Sequence, residues 1–154
     1  MISAIARLNL SIEWFESRLA PIVLLISRIW VSWVFFNSGL TKITTWSSTL
    51  YLFEWEYQVP FISWKVAAYL ATAAELVIPI FLLLGLFGRL SAAALFAVNI
   101  TAVISYPLLW ERGFYDHQLW GMMMLTVMIW GPGSLSIDRW INRKSFTVTA
   151  HHEH

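Results

Sequence analysis

Two ionisable side chains stand inside stretches otherwise suited to hydrocarbon: Arg28 in "LLISRIWVSW" and Glu75 in "TAAELVIPIF". A charge at the centre of a membrane-crossing helix costs about 2.5–3.5 kcal/mol on insertion scales, so a residue kept there has a partner, does chemistry, or both. Asn99, in "FAVNITAV", brings a third polar group into an apolar run. A second cluster, "YDHQLW", sets Asp116, His117 and Gln118 at the start of another such run, with Trp120 following, while Lys42 closes the run that holds Arg28. Asp116 and Trp120, at i and i+4, share one helix face, and His117 is offset from them by about 100°. A carboxylate beside an imidazole at a wet pocket mouth can take up and return a proton near neutral pH. The plainer reading is an acid favoured by the helix dipole and a tryptophan anchored at an interface.

The elements that carry these residues follow from composition. The chain has 154 residues, of which 58% are hydrophobic and 12% charged, and its mean hydropathy is +0.65. That is too apolar for an ordinary soluble domain, where about a quarter of residues are charged. Ten tryptophans and five tyrosines suit a protein with two water–lipid interfaces to line. A helix needs about 20 apolar residues to cross roughly 30 Å of hydrocarbon. Four segments approach that length: about 20–42, 66–87, 90–109 and 114–130. The expected architecture is therefore an all-α membrane protein, a four-transmembrane-helix bundle. The first span carries bulky tryptophans and phenylalanines where a leader peptide would need small residues for cleavage, so it is expected to remain in the mature protein. "GLFGR" joins the second and third spans as a tight hairpin. "TTWSSTLYLFEWEYQVPFISW" is too polar to cross and reads as an outer-face interfacial helix and loop, with Pro60 ending the helical part. "GPGSLSID" breaks the fourth span, and "IDRWINRK" reads as a short amphipathic surface helix. In these terms residues 1–19 form a cytoplasmic N-terminal segment, 20–140 the membrane domain and 141–154 a cytoplasmic tail.

Orientation follows from the basic residues. With both termini on one side, that side holds six (Arg7, Arg18, Arg89, Arg139, Arg143, Lys144) against three on the other (Lys42, Lys65, Arg112), which puts both termini in the cytoplasm of a bacterial inner membrane. Counting residues from the span ends sets Glu75 about 14 Å below the outer boundary and Arg28 about 12 Å above the inner one. In a core of about 30 Å those levels differ by only about 4–5 Å, so Arg28 and Glu75 are expected to pair, with Asn99 at similar height. Such a pair either fixes helix register or serves a proton, an ion or a polar head group.

Several chemistries are set aside. The chain has no cysteine, which removes disulfides, cysteine-ligated metal centres and a dithiol relay. His117 is the only histidine before residue 151, so the chain cannot supply a bis-His haem. Met122 to Met124 point in three directions on a helix and read as packing. The ending "HHEH" can ligate metal weakly, but a terminal tract without fixed geometry makes a poor site, and no metal is expected. A net charge of +1 without a basic patch gives no footprint for nucleic acid.

"RIWVSWVFFNSGLTKI", with Arg28, Phe36, Gly39 and Lys42, resembles the first span of the DoxX family. "AELVIPIFLLLGLFGRLSA", with Glu75, Gly85 and Arg89, is similar to its second span and hairpin. "YDHQLWGMMMLTVMIWGPGSLSID" is similar to its last span and ending, with Asp116 where glutamate is usual and Ser136 and Ile137 where Ser-Leu is commoner. The resemblance covers residues 20 to 140 and implies a four-helix inner-membrane bundle. The family includes the membrane subunit of thiosulfate:quinone oxidoreductase, so it implies a quinone-linked oxidoreductase component in contact with the lipid bilayer and with a protein partner subunit or further copies of itself. On that expectation Lys42, Asp116 and His117 bind or protonate a quinone head group between the first and fourth spans. Asn99 and the ring of Trp120 help to hold it, and Arg28 with Glu75 relays or tunes. The alternative is a non-catalytic anchor or assembly subunit in which the polar pair is structural.

Overall fold

The computed structural model describes residues 2–149, with side chains described at residue 13 and from 17 to 143. Seven helices follow one another: α1 (Ile2–Thr44), α2 (Trp46–Trp55), α3 (Trp64–Leu84), α4 (Gly88–Ser105), α5 (Leu108–Glu111), α6 (Phe114–Trp130) and α7 (Ile137–Thr149). No strand occurs among the described residues. Three helices are long and apolar enough to cross a membrane: Ser17–Thr44 within α1, then α3 and α4. The fourth expected span coincides with α6, whose 17 residues make it the shortest of these helices. The helix expected to begin near residue 20 starts at Ile2 and runs unbroken through residue 19, with Pro21 inside it. Between α2 and α3 the helical part stops at Trp55, before Pro60. The His-rich ending at 151–154 lies outside the described residues.

α1, α3, α4 and α6 lie side by side around one core of Leu24, Val31, Phe35, Leu82, Ala92, Leu95, Met124 and Val127. A smaller cluster, Phe53 with Ala67 and Ala68, seats α2 on the start of α3. Outward faces are apolar too: Ile26, Trp33, Leu70, Ile104 and Met122 are all exposed. A helix that is hydrophobic all round suits a lipid surround.

At the α7 end, Arg28 acts as a brace. It is buried at 1% exposure, and four of the five N–H donors of a guanidinium are engaged. Nε donates to Leu82 O (2.9 Å), Nη1 to Pro132 O (2.7 Å) and Leu135 O (2.8 Å), and Nη2 to Leu83 O. The α3 carbonyls are the negative end of that helix, which favours a cation, and Asp138 adds a favourable Coulomb interaction. Asp138 in turn accepts from Phe87 N (2.9 Å) and Gly88 N (2.8 Å), capping the start of α4. The segment after α6 thus bolts the α3–α4 hairpin to α1. Gly85 makes this possible: its φ is +64°, and a Cβ there would lie 2.5 Å from Ser136 Cβ and 2.8 Å from Arg28 Nη2.

The expected Arg28–Glu75 pair does not form. α1 and α3 run antiparallel, and helical side chains lean toward their own N-terminus. Arg28 therefore leans toward the end of α3, away from Glu75. Lys42 leans back into the fold, and Glu75 leans toward it.

Candidate functional site

The site is built at a close approach of α1 and α3. A Cβ on Gly39 would lie 2.9 Å from Leu76 Cγ and 3.2 Å from the Glu75 carbonyl carbon, so only glycine lets the two backbones meet here. One turn on, Lys42 Nζ donates to Glu75 Oε2 at 2.6 Å and to Ser38 Oγ at 2.9 Å. The two charged side chains are 17% and 9% exposed, so most of the ion pair is removed from water.

This pair lines one end of a half-open cavity of about 480 Å³ between α3 and α4, bordered by α2 and the loop that follows it. Alanines at 67, 71 and 74 on α3 and at 97 and 102 on α4 form much of its walls. Their small side chains leave a slot that leucines would fill. His117, at the start of α6, lines the same cavity. Its orientation is set by Asn99, which is buried: Nδ2 donates to His117 O (2.9 Å), so Oδ1 faces His117 Nδ1 at 2.7 Å. With an oxygen opposite, Nδ1 carries the ring proton, and in the neutral ring Nε2 is an acceptor.

At the α2 end of the slot stand two tyrosines. Tyr57 stacks on Phe53 (4.6 Å) and lies 4.7 Å from the ring of Tyr106, whose hydroxyl donates to Glu56 Oε2 at 3.0 Å. Burial pushes the Tyr57 phenol up to about 12, with Tyr106, Glu75 and Glu56 adding to the effect. It stays a neutral O–H donor throughout the physiological range.

Of the seven residues singled out in the sequence, the structure gathers Lys42, Glu75 and His117 on one cavity and sets Asn99 directly behind His117. Arg28 is at the opposite end of the molecule's core. Trp120 packs against His117 (4.7 Å) and Phe35 (6.0 Å), behind the cavity wall and not in it. Asp116 is exposed and outside the lining, and the role of holding the His117 ring falls to Asn99. The slot's long walls are α3 and α4, and Ser38 and Lys42 of α1 and His117 of α6, from the first and fourth expected spans, also line it. Sequence reading passed over Tyr57, Ser105 and Tyr106. The only signal for the last two is "SYP" at the end of an apolar run. Among the described residues no group of three or more His, Asp or Glu side chains stands ready for a metal ion.

Comparison with known proteins gives a family and little else. A protein of Haemophilus influenzae, described only as an uncharacterized protein, is 29% identical, covering 78% of this chain and 83% of its own length. No solved structure gives a significant match. A family model described as DoxX matches residues 23–107, more than half of the chain, from the apolar part of α1 through α4. With that match falling on three helices apolar enough for a bilayer, this is a membrane protein that belongs to the DoxX family.

Proposed function

We propose that this protein is an inner-membrane component of a quinone-linked oxidoreductase system, and that the cavity at the Lys42 end takes the quinone head group. One observation carries this: a charge-neutral Lys42–Glu75 pair at one end of an apolar slot, with His117 on its wall. A volume of about 480 Å³ suits a substituted ring. An ammonium has three N–H donors, two of which serve Ser38 and Glu75, leaving one for a carbonyl oxygen. His117 Nε2 accepts from the hydroxyl of the reduced ring, and Glu75 holds a proton in transit. A quinone supplies the two-electron, two-proton chemistry. The chain binds, orients and handles protons, and a partner subunit carries the electron donor. In this role α6 makes a fourth crossing, about 26 Å long at 1.5 Å per residue, and completes a four-helix bundle with both termini in the cytoplasm.

Two measurements test this. Cysteines introduced singly at Ser48 and Gly113 in the cysteine-free chain should react with an impermeant thiol reagent from outside the cell, and one at Ser145 should not. Labelling at 145 in intact cells reverses the topology. In lipid nanodiscs, a short-chain 1,4-benzoquinone should quench tryptophan fluorescence saturably, and His117→Ala should bind it roughly 3- to 10-fold more weakly, as expected for one hydrogen bond. No saturable quenching by wild type refutes the site.

The second reading is an anchor or assembly subunit. Its support is that Lys42 and Glu75 pair with each other at 2.6 Å and that four of the five Arg28 donors are engaged by backbone carbonyls. A stoichiometric protein partner, with no binding of quinone, favours it.

A further inference from the structure

The two ends of the slot and its flank are built differently. At one end stands the Lys42–Glu75 pair. At the other, the loop after α2 is tied to the end of α4: Gln58 N donates to Ser105 O at 2.8 Å, and the Tyr106 hydroxyl donates to Glu56 Oε2 at 3.0 Å. Tyr57, between these two ties, stacks on Phe53 of α2. The flank between α3 and α4 has no such cover. Leu70 on α3, and Ala97 and Thr101 on α4, line the cavity and are also exposed, while Ala71 and Ala74 beside them are half-buried. The slot therefore opens sideways, along the seam between two helices.

That opening lies at a particular depth. Leu70 and Ala74 stand six and ten residues beyond the start of α3 at Trp64, and Thr101 and Ala97 four and eight residues before the end of α4 at Ser105. At 1.5 Å per residue the rim runs from about 6 to 15 Å below those helix ends. Both helices are long and apolar enough to cross a membrane, so whichever way the protein faces, these levels fall within a hydrocarbon core of about 30 Å. The surface around the rim agrees: Val66, Val77 and Ile104 are exposed and apolar. Thr101, the polar residue at the rim, donates its hydroxyl to Ala97 O at 2.8 Å and is satisfied within its own helix. An opening of this kind faces acyl chains. A molecule dissolved in the bilayer can enter it ring first, and a cavity of about 480 Å³, filled by a substituted ring, leaves a long chain no place but outside.

We propose that the α3–α4 seam is the entrance of the slot and the exit for its occupant's tail. The ligand is a lipid-dissolved ring that sits against Lys42 and Glu75, with a hydrocarbon chain that passes out beside Leu70, Ala97 and Thr101 into the bilayer. The small side chain of Ala97 keeps the gap open. This rests on the proposed quinone site and adds to it a ligand class, quinones with a long hydrocarbon tail, and a specificity determinant, Ala97.

The test uses wild type and Ala97→Phe in nanodiscs, each titrated with a 1,4-benzoquinone carrying a methyl group and with the same ring carrying a decyl chain, ligand being counted per lipid. The chain is in hydrocarbon before and after binding, so wild type should bind the two forms within about threefold of each other. Ala97→Phe should weaken the decyl form roughly tenfold or more and leave the methyl form within about threefold, because only the tailed ligand needs the gap in its bound state. Ala97 is exposed, so the variant should melt within a couple of degrees of wild type. A second measurement needs no variant. A decyl ring with a diazirine midway along its chain, photolysed on wild type, should label residues 66–77 and 97–104, and unlabelled decyl ring should displace it. If Ala97→Phe treats the two rings alike, or if the displaceable label falls on the loop at 56–63, the tail does not leave through the seam and this inference fails while the quinone site stands. If wild type binds neither ring, the quinone site itself fails and this inference with it.

Discussion

Arg28→Met should lower the melting temperature in detergent by roughly 10 °C or more, the largest effect of any single change outside the apolar core. The guanidinium joins three separate segments: α1, the end of α3, and the 132–135 stretch after α6. Methionine fills much of the same volume but takes these donors away from four carbonyls around a side chain that is 1% exposed, and helix ends buried without partners are strongly disfavoured. Breaking a buried charged network by removing one member costs about 3–5 kcal/mol, which corresponds to a shift of that size. Arg28→Lys should recover only part of the loss. An ammonium is a point donor and cannot fork between Leu82–Leu83 on one side and Pro132–Leu135 on the other. A methionine variant that melts within a couple of degrees of wild type would mean the brace contributes nothing. Because Arg28 is not part of the slot's lining, any folded fraction of the lysine variant should keep wild-type affinity for the proposed quinone ligand.

Lys42 and Glu75 should show strong non-additivity. Lys42→Met strands a carboxylate and Glu75→Gln strands an ammonium, each in a position where water reaches less than a fifth of the side chain. Each single change is expected to destabilise by about 3 kcal/mol or more, whereas the double variant, with no charge left to strand, should cost less than the sum by about 2 kcal/mol or more. A second cycle between Arg28→Met and Glu75→Gln serves as the control. These residues have no partner in common, so their effects should add within about 0.5 kcal/mol. Thermal or denaturant melts of the five variants and wild type decide it. Additivity in the Lys42 cycle together with coupling in the Arg28 cycle would restore the pairing that depth alone suggests. For function the two members differ: Lys42→Met removes the proposed donor to the ring carbonyl and should weaken quinone binding, while Glu75→Gln should lower turnover with the native partner more than affinity.

The long helices are legible in the sequence because what makes them is local. Apolar runs of about 20 residues around 20–42, 66–87 and 90–109 correspond to α1, α3 and α4, and the hairpin glycines mark the turn between the last two. The short helix α2 falls in a stretch that is aromatic yet too polar to cross, and "GPG" marks the break after Trp130. The polar residues that matter are equally visible one at a time, since Arg28, Lys42, Glu75, Asn99 and His117 each stand out against an apolar background. Their partners are not. Depth along a helix axis locates a Cα, but the charged atom of an arginine or lysine lies several ångströms from it, and all side chains on a helix lean toward its N-terminus. In an antiparallel pair that lean separates Arg28 from Glu75 and closes Lys42 onto it, reversing a pairing inferred from levels that differ by only a few ångströms. The slot is likewise invisible in one dimension. Ala67, Ala71 and Ala74 read as ordinary helix formers until α4 presents Ala97 and Ala102 opposite them. Hydropathy decides which segments leave water, and the tertiary structure decides which polar atoms meet, because hydrogen bonds and ion pairs depend on separations of a few tenths of an ångström that no spacing along the chain encodes.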